Sequence, residues 1–156
     1  KVMALIDKGN LLSYNGHYYM IVDDELVWTH ARAWCEESGG YLATITTEEE
    51  QNFLVDAMVE HSENNPMLLE SYWMGGIVKN GQWCWITEEP FGYSRWAPNE
   101  PNGNEENMVM QMYTSRNYYG YNHYCWDDTW FDGDKGGGIR HQGLICEWNE
   151  KPVLGS

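Results

Sequence analysis

The spacing of apolar and polar residues changes period several times along the chain, and each change marks an element. Residues 17–22, His-Tyr-Tyr-Met-Ile-Val, are rich in β-formers and follow the turn pair Asn15-Gly16. They predict a strand, with a weaker lead-in over residues 1–13. Asp23, Asp24 and Glu25 predict an exposed turn. From Trp28 the period is helical. Ala31, Trp34 and Cys35 share one face, Thr29 can cap the start, and Gly39-Gly40 stop the helix after Ser38. A short strand is expected over residues 41–45. Thr47 followed three residues later by Glu50 has the capping-box order, so a second helix is predicted to about residue 62. Phe53, Leu54, Ala57 and Met58 form its apolar stripe, and Asn64-Asn65-Pro66 end it.

Two further strands, residues 72–77 and 82–86, are predicted around the turn Lys79-Asn80-Gly81. Trp83 and Trp85 alternate with Cys84, which predicts one packed face and one open face. Residues 87–116 are mostly irregular, and Trp96, Pro98 and Pro101 argue for an ordered loop. Residues 108–113 are a candidate strand within it, and residues 117–124 read as a tyrosine-rich tip. A short strand begins at Trp126, an Asp/Gly loop covers residues 132–138, and residues 143–148 close the chain. With no repeat, residues 1–156 are predicted to form a single domain whose core runs from about residue 16 to 148.

Composition narrows the class of partner. The chain has 24 acidic against 9 basic residues, a net charge of −15. Nucleic acid and anionic membrane, which need a basic face, are excluded; cations and neutral polar ligands are favoured. No apolar run approaches the ~20 residues of a membrane span, so membrane insertion is not expected. Four cysteines without a CxxC or a Cys/His cluster read as disulfides, with buried free thiols as the alternative. Disulfides imply an oxidising, extracellular or cell-surface setting.

The candidate chemistry lies in residues 96–107 and in Trp126-Asp127-Asp128. Carboxylate and amide oxygens crowded on one loop repel one another unless a cation sits among them. An all-oxygen set without His or Cys suits calcium. The plainer alternative is a solvated acidic turn. An enzyme is not expected: Glu88-Glu89 and Glu105-Glu106 are sequence neighbours, not two carboxyls across a substrate, and there is no nucleophile–base set. His30, His61, His123 and His141 are scattered and read as surface residues. Asp132 and Asp134 read as solvated.

Taken in order, several short pieces resemble a C-type lectin domain over nearly the whole chain. They are Gly16-His17-Tyr18, Trp28 with Ala31, Cys35, the run from Gly39 to Ile45, the run from Glu49 to Phe53, Trp73-Met74-Gly75-Gly76, Glu100-Pro101-Asn102, Trp126-Asp127-Asp128, and the run from Leu144 to Trp148. The resemblance implies an α+β fold, two helices flanking antiparallel sheets, with a long irregular loop that binds calcium and sugar. It pairs Cys35 with Cys146. Met108 and Phe131 stand where the family's second disulfide has cysteines. Cys84 and Cys125 are extra, and a bridge between them is proposed from the family fold, with free thiols as the alternative. The missing bridge and the Asn-Glu-Glu-Asn-Met run resemble bacterial members more than animal ones.

By the same resemblance Glu100, Asn102, Glu106, Asp127 and Asp128 are the calcium ligands. Glu100, Asn102, Glu106 and Asp127 also contact the sugar. The family's cis-proline, here Pro101, turns the Glu100 and Asn102 oxygens to one side. The Glu-Pro-Asn order implies a sugar with equatorial vicinal hydroxyls of the mannose, N-acetylglucosamine, glucose or fucose type. The expected function is calcium-dependent glycan binding. The alternative is a protein-binding or adhesion domain with calcium structural only, and either fits a module of a larger multidomain protein. A second calcium site is not expected, because Gly103 and Asn107 stand where its acids belong. Tyr113, Tyr118, Tyr119, Tyr121 and Trp130 are candidates to stack on a sugar ring. Asp127 replaces the family's usual asparagine, so a sugar hydroxyl there would face two acceptors and no donor.

Overall fold

The computed structural model describes residues 11–65, 68–130 and 142–153. The elements in chain order are β1 (Leu12–Tyr14), β2 (His17–Leu26), α1 (Trp28–Glu37), β3 (Tyr41–Leu42), α2 (Glu48–Asn64), β4 (Ser71–Lys79), β5 (Gln82–Trp85), β6 (Met108–Tyr113), β7 (Trp126–Trp130) and β8 (Gln142–Trp148). The strands form one sheet of order β1-β2-β8-β4-β6-β7, with β3 on β8 and β5 on β4. All pairings between these strands are antiparallel except β4 with β8, where Tyr72 meets Gly143 and Trp73 meets Leu144 in parallel. The fold is the expected α+β arrangement of two helices about a sheet, but the sheet is mixed.

Two tight hairpins form where the sequence signals them. Asn15 and Gly16 (φ 51° and 82°) join β1 to β2, and Asn80 and Gly81 (φ 55° and 76°) join β4 to β5. Positive φ at both central residues matches the strand twist and suits Asn-Gly. Strand alternation then divides the core in two. Trp73, Ile77, Val109, Leu144 and Cys146 point to the layer that holds Ala31, Trp34 and Cys35 of α1. Tyr72, Met74, Met110, Ile145 and Trp126 point to the layer of Leu54 and Met58 of α2. The sheet is therefore buried on both faces, the physical reason its central strands read as apolar runs.

Several details differ from the sequence expectation. Residues 23–25 continue β2 instead of turning, and the strand after α1 is only Tyr41–Leu42. Thr29 lies inside α1, whose N-cap Val27 supplies no side-chain bond. On α2 the cap is as expected, with Thr47 Oγ1 accepting from the Glu50 amide at 3.1 Å. Phe53 and Ala57 are only half-buried, while Glu50 and Gln51 are buried. Both faces of β5 pack, Cys84 against one core layer and Trp83 and Trp85 in the other. Residues 132–138, Phe131 and His141 lie outside the described residues.

All four cysteines are thiols. Those of Cys35 and Cys146 are buried and hydrogen-bonded to each other; burial and this contact push the Cys35 thiol well above its usual pKa. The proposed Cys84–Cys125 bridge is overturned by topology. Ile77 of β4 pairs with Cys84 on one side and with Val109 of β6 on the other. β7 lies beyond β6, with Met112 opposite Trp126. Three strand spacings, ~14 Å, separate β5, which holds Cys84, from β7, which Cys125 immediately precedes, against the ~7 Å that a disulfide tolerates between Cα atoms. Cys84 Sγ instead donates to Ile77 O at 3.4 Å, and Cys125 Sγ to Tyr121 O at 3.9 Å.

Two outcomes are expected. Non-reducing peptide mapping of oxidised protein joins Cys35 to Cys146 and leaves Cys84 and Cys125 open to alkylation under denaturing conditions. Thr47→Ala lowers stability by ~1 kcal/mol in urea titration, because the Glu50 amide loses its acceptor, whereas Thr47→Ser leaves it nearly unchanged.

Candidate functional site

The site begins at Trp126. Its amide donates to Arg95 O at 2.9 Å, and its carbonyl accepts from the Ala97 amide at 2.8 Å. This pins the irregular segment after β5 along the start of β7. The Trp126 ring meets Trp85, Phe91, Tyr93 and Trp96 with centroids 5.5–6.4 Å apart, and its Nε1 donates to Gln51 of α2 at 3.0 Å. Ala97 O then accepts from the Glu100 amide at 2.9 Å, and the Glu100-Pro101 peptide is cis. The loop is ordered by aromatic packing, and it carries Glu100 and Asn102 to the two aspartates that follow Trp126.

Glu100, Asp127 and Asp128 each present a carboxylate oxygen, all within 4.8 Å of one another. Asp127 and Asp128 are buried, at 9% and 7% exposure. The Asn102 amide N–H donates to Asp128 Oδ1 at 3.1 Å and to Glu100 Oε1 at 3.2 Å. With its side-chain nitrogen turned toward β7, Asn102 donates to Asp128 Oδ2 at 3.0 Å and Oδ1 at 3.3 Å. With its oxygen turned there instead, acceptor faces acceptor, which a cation between them relieves. Gly103 is needed beside this pair, because a Cβ there would lie 3.0 Å from Asp128 Oδ2 and 2.7 Å from Met108 Sδ.

Two donors hold Asp127 from behind. Gln111 Nε2 and Tyr113 Oη each donate to its Oδ2 at 2.8 Å. Sequence reasoning misses Gln111, although a lone glutamine inside the strand Met-Val-Met-Gln-Met-Tyr is a visible anomaly. It also gives no role to Gln51, which lies off the apolar stripe of α2 but accepts from Trp126 Nε1.

Four of the five predicted ligands, Glu100, Asn102, Asp127 and Asp128, come together. Glu106 is not in the carboxylate group; its Oε1 accepts from the Asn80 amide at 2.8 Å, tying the loop to the β4–β5 hairpin. Of the stacking candidates, Tyr113 faces Asp127. Tyr118, Tyr119 and Tyr121 stand 86%, 51% and 63% exposed on the connection from β6 to β7, with the last two stacked at 5.4 Å. Trp130 is half-buried at the end of β7.

The group is electrostatically strained without a cation. Burial, a shared hydrogen bond with Asp128 and the charge of Asp127 push the Glu100 carboxyl up to about 8. Burial also raises Asp127, helped by the Asp128 charge and opposed by the Gln111 and Tyr113 donors. An all-oxygen set whose members lie within 4.8 Å fits one ion with ligand distances of ~2.3–2.6 Å, the calcium range. A second raised acid lies on β8. Burial and the nearby Glu50 push Glu147 up to about 8. It accepts from the Thr44 amide at 3.1 Å and Tyr41 Oη at 2.9 Å, and lies 2.8 Å from His17 Nδ1.

The chain matches the family described as Lectin C-type domain over residues 24–129. Mouse C-type lectin domain family 6 member A is 32% identical over 114 residues, covering 70% of this chain and 51% of that protein. The chain spans about half the length of such curated relatives. Among solved structures, the cow C-type carbohydrate-recognition domain of CD23, crystallised in the presence of a GlcNAc2Man3 oligosaccharide, is 25% identical. Its TM-score is 0.64, over 96% of this chain and 97% of that one. The Ca2+-independent C-type lectin SPL-2 from Saxidomus purpuratus is 20% identical with a TM-score of 0.71, over 90% of this chain and 91% of that one. These relatives are described as C-type lectins or carbohydrate-recognition domains, and the domain is non-enzymatic.

Glu100 and Glu147 set a pH dependence whose sign follows from their shifts. Each keeps its proton in the fold up to about 8, whereas the unfolded chain releases it near ~4.3. Their contribution is complete below ~4.3 and is lost as pH rises toward about 8. Melting temperature in chelator is therefore expected to fall from pH 5 to pH 8. Glu100→Gln and Glu147→Gln should each flatten that slope.

Proposed function

Because the chain belongs to the C-type lectin domain family, we propose that Glu100, Asn102, Asp127 and Asp128 form a calcium-held surface that binds a glycan. The single observation that carries this reading is the convergence of three carboxylates, from the loop and from β7, onto oxygens within 4.8 Å of one another. When bound, the ion supplies positive charge and open positions that two neighbouring sugar hydroxyls can fill. The chain's own residues do the rest. Glu100 accepts a hydrogen bond from one hydroxyl, and the Asn102 side-chain amide, with its oxygen on the ion, donates to it. Asp127 accepts from the second hydroxyl. Glu-Pro-Asn favours equatorial vicinal hydroxyls of the mannose, N-acetylglucosamine, glucose or fucose type. The relative crystallised with GlcNAc2Man3 supports the sugar class. A secreted or cell-surface setting, and a larger multidomain host, belong to the same proposal.

A second reading is a protein-binding domain in which calcium only orders the loop or is dispensable. It is favoured by the placement of Glu106 on the β4–β5 hairpin, which leaves the second hydroxyl one protein contact short. The calcium independence of SPL-2, a lectin of this fold, favours it too.

Binding to a glycan array in millimolar calcium, repeated with chelator, separates the readings. The expected result is retention on mannose- or N-acetylglucosamine-terminated glycans in calcium and loss in chelator, with a calcium Kd of ~10⁻⁴–10⁻³ M. Retention that survives chelator removes the ion from the mechanism. Calcium uptake with no glycan bound moves the function to the protein-binding reading.

A further inference from the structure

We infer that Gln111 is a positioning residue of this site and that, in the orientation Gln142 fixes, it requires a carboxylate at position 127. The inference rests on the cation reading above, and its test separates the two. Gln111 is 3% exposed and lies directly across the β6–β7 ladder from Asp127. Its two ends are committed. Oε1 accepts from Gln142 Nε2 on β8, and Nε2 donates to Asp127 Oδ2 at 2.8 Å. Tyr113 Oη donates to the same oxygen at 2.8 Å. One oxygen of Asp127 thus takes both protein donors, and a carboxylate oxygen of Asp127 lies within 4.8 Å of those of Glu100 and Asp128.

An asparagine at position 127 cannot satisfy both sides while Gln111 and Gln142 keep their orientations. If its oxygen takes the Gln111 and Tyr113 donors, its NH2 points at the site and a cation ligand is lost. If its oxygen faces the site, its NH2 meets the Gln111 NH2, donor against donor, in a buried place. Gln111 can turn over only if the Gln142 amide, which donates to its Oε1, turns with it. A glutamate at position 111 removes the conflict. Its carboxylate accepts from the new side-chain amide at position 127 on one side and from Gln142 on the other, and the Tyr113 hydroxyl can rotate to accept. The site then keeps an oxygen at position 127 and the same total charge.

The test uses the full chain as wild type, Asp127→Asn, Gln111→Glu and the double variant. Calcium chloride is titrated by calorimetry, and melting temperature is measured in chelator and in calcium. Asp127→Asn is expected to weaken calcium binding by about tenfold or more, and to lower the melting temperature in chelator. The double variant is expected to recover both, to within about threefold of wild type in affinity. If Asp127→Asn prevents folding, recovery of a folded chain in the double variant is the same result. A double variant no better than Asp127→Asn in either readout overturns the positioning role. If the wild type takes up no calcium but the chelator melting temperatures show the rescue, the cation reading fails and only the donor–acceptor pairing of Gln111 with Asp127 stands.

Discussion

The pairing of Trp126 with the loop is the contact on which the site depends. Its backbone closes a short parallel bridge with Trp96, and its ring is 0% exposed among aromatic neighbours from the loop and from β5. Burying large rings supplies the free energy that orders a charged, proline-rich segment with little regular hydrogen bonding of its own. The same residue immediately precedes Asp127 and Asp128. Ordering the loop and assembling its acids are thus one event, because the anchor and two of the acids are consecutive in the chain.

The acids themselves oppose assembly. Bringing Glu100 against Asp127 and Asp128 in a partly buried place costs charge repulsion and desolvation, and the fold relieves this with a retained proton on Glu100. Donors from Gln111, Tyr113 and the Asn102 backbone distribute the remaining charge. A cation offers a stronger relief than a proton, since it satisfies several oxygens at once. The site is therefore built as a competition between proton and metal, and with Glu100 raised to about 8 that competition turns above the ordinary carboxylate range near ~4. Reading those values needs the distances between residues, which only the fold supplies.

The elements are largely legible from local signals. Asn15-Gly16 and Asn80-Gly81 specify their hairpins, Thr47 caps α2, and the α1 stripe of Ala31, Trp34 and Cys35 is buried as its spacing requires. Local reading fails where tertiary packing outweighs a local preference. Asp23 has the neighbours of a turn residue, yet it accepts from Tyr72 and Asn65 and pairs with His61, so β2 runs on through an acidic stretch. Cys84 and Cys125 sit beside Trp85 and Trp126, whose rings do touch. Contact between long side chains across a sheet face does not bring the neighbouring backbones within reach of a disulfide.

By itself the sequence determined the element types, the two-helix, multi-strand class, the acidic net charge of −15, and the residue kinds that could hold a hard cation. These follow from periodicity, turn chemistry and charge, which act over a few residues or over the whole composition. Tertiary structure decided which acids meet. It brought Glu100 to Asp127 and Asp128, sent Glu106 to the Asn80 amide, and set a buried glutamine behind Asp127. Those outcomes depend on strand register and loop anchoring between residues far apart in the chain. A one-residue slip in register would move Gln111 to the opposite face of the sheet, and no local pattern in the sequence records that choice.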